Sequence, residues 1–209
     1  MGDHASISAV GKSIERLLNA GFREIEPLPG EPIGTTKAVL VRSEDFDKAN
    51  VAASIPAPAL SIFLYRVDFN KAMRAAWSGV GFHDGRTHLP LDLHFLITPW
   101  AKNAEHELCI LGRAMQCLET RPILSGPLLH PLANWATNEA IQIVLEEVST
   151  EAVMRTFDSL PTEYKLSVPY IARITRIDGR SVAVSPPVTT LVTGTVPSTP
   201  PHPSPDPMP

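Results

Sequence analysis

Apolar residues at Ile7, Val10, Ile14, Leu17 and Leu18 fall on three- and four-residue spacings. That spacing predicts an amphipathic helix, which Gly21 is expected to end as a left-handed cap. Pro27, Pro29, Gly30, Pro32 and Gly34 then break any regular pattern. A β-branched run from Lys37 to Arg42 predicts a short strand. Pro56 and Pro58 open a longer one, Ala59 to Phe69, at positions where proline costs no central ladder bond. Within it Leu60, Ile62, Leu64 and Arg66 fall on one face and Ser61, Phe63, Tyr65 and Val67 on the other, both largely covered. Residues 70–88 form a long connection holding Trp77, Phe82, His83 and His88. Loops of that length in a compact domain are usually functional or mobile. Leu89, Leu91, Leu93, Phe95 and Ile97 alternate with Pro90, Asp92, His94 and Leu96, a strand with one fully apolar face.

Glu105 to Thr120 reads as a helix whose buried stripe is Leu108, Leu111, Met115 and Leu118. Gly112 sits mid-helix at a cost of about 1 kcal/mol against alanine, which points to a close approach at that position. Ala140 to Val148 reads as a strand with Ile141, Ile143 and Leu145 inward. Ser149 suits an N-cap for a helix to Leu160, with Glu151 favouring the helix dipole. Leu166 to Ile177 is the last core strand, and Ser181 to Ser185 a possible terminal one. Nine of the 21 prolines lie between Pro186 and Pro209, where charge is nearly absent. That composition predicts a flexible, partly polyproline tail. The expected organisation is one domain over residues 1–184 and a Pro-rich tail over 185–209. The fold class is α+β, a mixed or mainly antiparallel sheet of four to six strands with two or three helices packed over it.

The chain has 209 residues, 44% of them hydrophobic, and a net charge of −4, enough for a sizeable core. It has no block of Lys and Arg, so nucleic acid is not an expected partner. No apolar run reaches the length of a membrane span, so direct membrane insertion is not expected. Met1-Gly-Asp-His-Ala lacks the features of a secretory signal. Cys109 and Cys117 lie eight apart on one predicted helix, roughly 12 Å along its axis, too far to bridge.

Candidate chemistry is sparse. His83, Asp84, His88 and His94 invite a metal reading, but His94 with Asp92 reads better as a hydrogen-bonded polar face. There is no Gly-x-Ser-x-Gly elbow and no phosphate-binding glycine loop. Glu146 and Glu147 are adjacent at a strand end, so they face opposite ways and read as a solvated or interface edge. No catalytic residue, cofactor or metal is expected. Trp77, Phe82, Trp100, Trp135, Glu146 and Glu147 remain as candidate partner-contact residues, since aromatic anchors carry a disproportionate share of binding energy.

Five segments together carry a resemblance. They are Leu64-Tyr-Arg-Val-Asp-Phe-Asn70, the Leu91-Asp-Leu-His-Phe-Leu96 core of the apolar strand, Leu111-Gly-Arg-Ala-Met115, the helix from Ser149 to Leu160, and Tyr164-Lys-Leu-Ser-Val-Pro-Tyr170. In order and spacing, from about Ile7 to Ile177, they resemble the tail-terminator (cap) proteins of extracellular contractile injection systems, the antifeeding-prophage and virulence-cassette type. Pro169 and Trp100 depart from the family's usual residues. The resemblance implies a phage tail-terminator-like fold and a structural, non-enzymatic role. It implies a ring of copies, usually a hexamer, capping the baseplate-distal end of the particle against the terminal layers of inner tube and sheath. Assembly would be cytoplasmic, in a phage tail-like particle that is released or kept inside the cell. The alternative is an adaptor that anchors the particle to a membrane or envelope through the C-terminal tail.

Overall fold

The amphipathic pattern at the start of the chain forms α1, Ser6–Glu24, which buries Val10, Ile14, Leu17, Leu18 and Phe22. The computed structural model describes residues 2–47, 49, 51–73 and 88–179. The helix does not stop at Gly21. It runs one turn further and ends where the Ile25 amide donates to the Gly21 carbonyl at 3.1 Å. Gly21 serves packing: a Cβ there would lie 2.3 Å from Cys117 Sγ. The Pro/Gly-rich stretch that follows is held by the Glu26 carboxylate. It accepts from the Gly34 amide at 3.0 Å, the Thr36 amide at 3.2 Å and the Thr36 hydroxyl. Gly30 and Gly34 have φ of 80° and 86°, values that L side chains avoid.

Six strands form one sheet: β1 (Lys37–Val41), β2 (Ala59–Phe69), β3 (His88–Trp100), β4 (Ile123–Ser125), β5 (Ala140–Leu145) and β6 (Val168–Asp178). The order is β1-β2-β3-β6-β5-β4, with β1 parallel to β2 and all other pairs antiparallel. Pro169 sits in register opposite Leu96, and its carbonyl accepts from the Glu146 amide at 3.0 Å. The fold is therefore α+β with a mixed sheet. Two long helices, α1 and α3 (Ala104–Thr120), cover one face, where Leu60, Ile62, Leu91, Leu93, Phe95 and Ile97 form one cluster with both helices. The other face carries a 3-10 turn at Ser43–Phe46, a single helical turn α2 (Val51–Ser54) and α4 (Thr150–Asp158). There Phe46 packs with Val41, Ile55 and Ala59, and Leu96 with Val153 and Phe157. Each such fully buried side chain contributes about 1.5–3 kcal/mol over its exposed state.

Several details depart from the periodicity. The buried stripe of α3 is Ile110, Leu111, Ala114, Cys117 and Leu118, while Leu108 is 56% exposed. The contact with α1 at Gly21 needs small residues, so the stripe is phased on Ala114 and Cys117 rather than on the largest apolar side chains. Among the described residues Gly112 has no atom within 4 Å of where a Cβ would lie, so no close approach by them explains it. β5 ends at Leu145, which is 47% exposed because the helical layer does not cover the strand's end. Ser149 does cap α4, its hydroxyl accepting from the Ala152 amide at 3.3 Å. A bulge in β2 between Leu64 and Arg66 turns Arg66 to the face of Phe63 and His94, away from Leu60 and Ile62. Ser181–Ser185 lie outside the described residues.

Candidate interface surfaces

The β2 bulge builds a polar cluster that periodicity cannot show. Because Tyr65 is the extra residue, Arg66 lands beside His94 of β3, and both meet Glu146, the residue after β5. Glu146 Oε1 accepts from Arg66 Nη2 at 3.0 Å, and its Oε2 accepts from Tyr65 Oη at 3.1 Å and contacts His94 Nδ1 at 2.8 Å. Arg66 Nη2 lies 3.1 and 3.3 Å from the two ring nitrogens of His94, and His94 Nε2 lies 3.4 Å from Asp68 Oδ2. Asp68 closes the outer side, 3.0 Å from Arg66 Nε. Burial first, and then the Glu146 charge, pushes the Tyr65 phenol up to about 12. A cavity of about 260 Å³ adjoins the cluster, lined by Tyr65, Arg66, Leu96, Ala152, Val153 and Thr156. The cluster fixes the β5–α4 connection to β2 and β3.

A second buried polar group ties the ends of β3 and β6. His88 Nδ1 lies 2.6 Å from Asp178 Oδ1, with side chains 4% and 5% exposed. Arg176 Nε reaches the same carboxylate at 2.8 Å, and Arg176 also approaches Glu139 at 3.5 Å. The Asp178 amide donates to the Gly2 carbonyl at 2.8 Å, which docks the N-terminal residues on β6. A Cβ on Gly2 would sit 1.8 Å from the Arg176 carbonyl oxygen. His94 and Asp92 are both hydrogen-bonded, but to different partners: Asp92 accepts from Asn70 Nδ2 at 3.0 Å. Among the described residues no three His, Cys, Asp or Glu side chains converge to hold a metal ion.

The candidate contact residues do not form one patch. Trp77 and Phe82 lie outside the described residues, as do His83 and Asp84. Trp100 is half-buried. Its indole donates to Ser61 Oγ at 2.9 Å, Phe46 lies at 6.0 Å, and Lys165 Nζ sits 4.9 Å above the ring. Trp135 is also half-buried, donates to the His130 carbonyl at 2.7 Å and lines a cleft of about 300 Å³ with Asn138, Ile141 and Ile174. Glu147 is exposed. Glu146 is not a solvated edge, since it is 14% exposed and its carboxylate is occupied within the fold. The sequence reading missed an exposed apolar strip of Val67, Phe69 and Leu89, 43%, 46% and 41% exposed. All three lie on the helix-bearing face, at the β2 and β3 ends that flank residues 74–87. No helix among the described residues is long and apolar enough to cross a membrane.

The sequence model of the Pvc16 N-terminal domain matches residues 9–190. The chain belongs to that family. The fold is shared with the anti-feeding prophage cap (tube terminating cap), 19% identical at a TM-score of 0.54 over 89% of this chain and 60% of that one. The sheath/tube terminator of PVC, an extracellular contractile injection system, in its extended state also matches: 16% identity, TM-score 0.47, 88% of this chain and 65% of that one. The chain thus spans less than two thirds of the length of either solved structure. Comparison with curated proteins finds no match.

Proposed function

We propose that this chain caps the baseplate-distal end of a contractile injection particle. In this role it forms a ring, expected to be a hexamer, that ends polymerisation of the inner tube and sheath. The observation that carries the reading is a fold shared over 89% of the chain with a tube-terminating cap, within a Pvc16 N-terminal domain match over residues 9–190. The physical logic is coverage. A tube grows because its last layer presents a surface on which the next layer adds, and a ring seated there removes that surface. Heterologous contacts between identical copies generate such a ring when their rotation closes. The role asks for assembly surfaces rather than for a reaction. The polar clusters at Glu146 and Asp178 then serve as internal ties that keep the sheet rigid. Exposed apolar side chains such as Val67, Phe69 and Leu89 supply area of the kind an interface buries. On this reading the chain is assembled in the cytoplasm as part of the particle.

Electron micrographs of particles from a deletion strain test it. Tubes of abnormal length and sheaths without stable caps are the expected outcome. A normal length distribution with normally capped ends rules the role out.

A further inference from the structure

A cavity of about 440 Å³ lies between α1 and β1 and belongs to none of the features above. Its lining is basic. Lys12, Arg16, Asn19 and Arg23 follow one another at four-, three- and four-residue steps, so they stand on one stripe of α1. Lys37 of β1 and His130 face them across the groove. The single acidic lining residue is already occupied. Glu15 Oε2 pairs with Lys12 Nζ at 2.7 Å, and Glu15 Oε1 accepts from the Leu40 amide at 3.1 Å. Arg16, Arg23 and Lys37 are exposed and take part in no ion pair among the described residues. His130 Nδ1 accepts from the Leu132 amide at 3.2 Å, which leaves Nε2 as the ring nitrogen that can donate.

The same groove closes off one mode of binding. β1 is the edge of the sheet, yet three of its outer backbone groups are taken. Asn19 Nδ2 donates to the Ala38 carbonyl at 2.8 Å, and Asn19 Oδ1 accepts from the Ala38 amide at 3.0 Å. With Glu15 on Leu40, the helix imitates a neighbouring strand, so an added chain finds no ladder to extend. A ligand here must be read by its charges.

We infer that this groove docks an extended acidic protein segment, with carboxylates at alternate positions. From Lys12 to Arg23 the stripe spans about 16 Å at ~1.5 Å per residue, the length of about five residues of extended chain at ~3.3 Å each. Same-side carboxylates in such a chain recur about every 6.6 Å, so two or three of them fall within the length of the stripe. A nucleic-acid strand is the lesser fit. None of the lining residues is Phe, Tyr or Trp, the platforms on which bases stack, and the chain's net charge of −4 repels a long polyanion. The inference stands on the groove and holds whether or not the chain caps a tube.

Fluorescence anisotropy on the full chain tests it, with a labelled ten-residue peptide of alternating Glu and Ser as the probe. The expected result is saturable binding that weakens as salt screens the contacts. The triple variant Arg16→Gln, Arg23→Gln, Lys37→Gln should lower affinity by about tenfold or more with unchanged melting, because these side chains are exposed and unpaired. The single variants Arg16→Gln and Arg23→Gln should give partial losses, which keeps the test open if the triple variant folds poorly. The inference is overturned if the probe does not bind at low salt, or if the substituted chains bind it as the parent does. Equal or tighter binding of a ten-nucleotide oligothymidylate reassigns the groove to nucleic acid and overturns it too.

Discussion

Tyr170 is a buried phenol and Tyr65 a half-buried one, and they are built differently. Tyr170 is 1% exposed, sits opposite Phe95 of β3 and Leu145 of β5, and among the described residues its hydroxyl has no hydrogen-bond partner. Burial, with a smaller push from the Glu119 charge, raises its pKa to about 12. Tyr65 reaches the same range but donates to Glu146. Removing an unsatisfied buried hydroxyl removes its desolvation cost, so Tyr170→Phe is expected to raise stability by about 1 kcal/mol. The sign with pH follows from linkage. Below about pH 10 both tyrosines are protonated, folded or unfolded. Between about 10 and 12 the unfolded chain releases protons that the folded chain keeps, so stability falls as pH rises. Tyr170→Phe should flatten that fall, and chemical denaturation at about pH 9 and about pH 11 measures both effects. An unchanged alkaline slope would mean that Tyr170 titrates normally. Little of this chemistry was legible beforehand. Glu146 meets Tyr65, Arg66 and His94 across 81, 80 and 52 residues of chain. The β2 bulge also moves Arg66 off the face that strict alternation assigns it. Asp92 and His94 were readable as a polar face, because they share a parity in a strand whose other face is wholly apolar.

Elements were far more legible than contacts. The period of two in β2 and β3 and the three/four spacing in α1 and α3 marked all four elements, because one-sided burial writes itself into the chain as a period. The phase of α3 was misjudged because side-chain size was taken as the guide. Where α3 crosses α1 the interface is built on Ala114, Cys117 and Gly21, and close approach selects small residues. Two glycines separate the effects. Gly112 has open space where a Cβ would go, so Gly112→Ala should add about 1 kcal/mol through helix propensity alone. Gly21 has Cys117 Sγ 2.3 Å from that point, and Gly21→Ala should cost about 1–3 kcal/mol as the helices separate. Adding Cys117→Ala removes the sulfur and leaves only a Cβ at 3.4 Å, an ordinary contact, so much of that loss should return. Thermal unfolding of the three variants is the check. A Gly21→Ala chain as stable as the parent would show that α1 and α3 do not meet as described.

At the scale of the molecule, the sheet order β1-β2-β3-β6-β5-β4 was not readable, because it places the last strand between the third and fifth and no local pattern encodes a long-range pairing. The basic groove was hidden for the same reason: its cations are scattered along α1, β1 and the loop at His130, with no run of Lys and Arg in the chain. The expected division at residue 185 leads to the last prediction. The family match ends at residue 190, and nine of the 21 prolines follow Ser185. A segment with so few apolar side chains cannot bury enough surface to offset the entropy of ordering it. The buried residues of the described clusters all lie before residue 173, Ala172 being the last of them. A chain ending at Ser185 should therefore melt at the parent temperature and keep the parent's oligomeric state in light scattering. Limited proteolysis of the full chain should clip beyond Ser185 before it cuts within the sheet. Polyproline stretches are stiff and bind grooves at low entropic cost, so on the proposed capping role Leu191, Val192 and Val196 are the apolar residues that would contact a second component. If the shortened chain unfolds or loses its oligomeric state, the segment is part of the fold or of the ring contact, and the division at residue 185 is wrong.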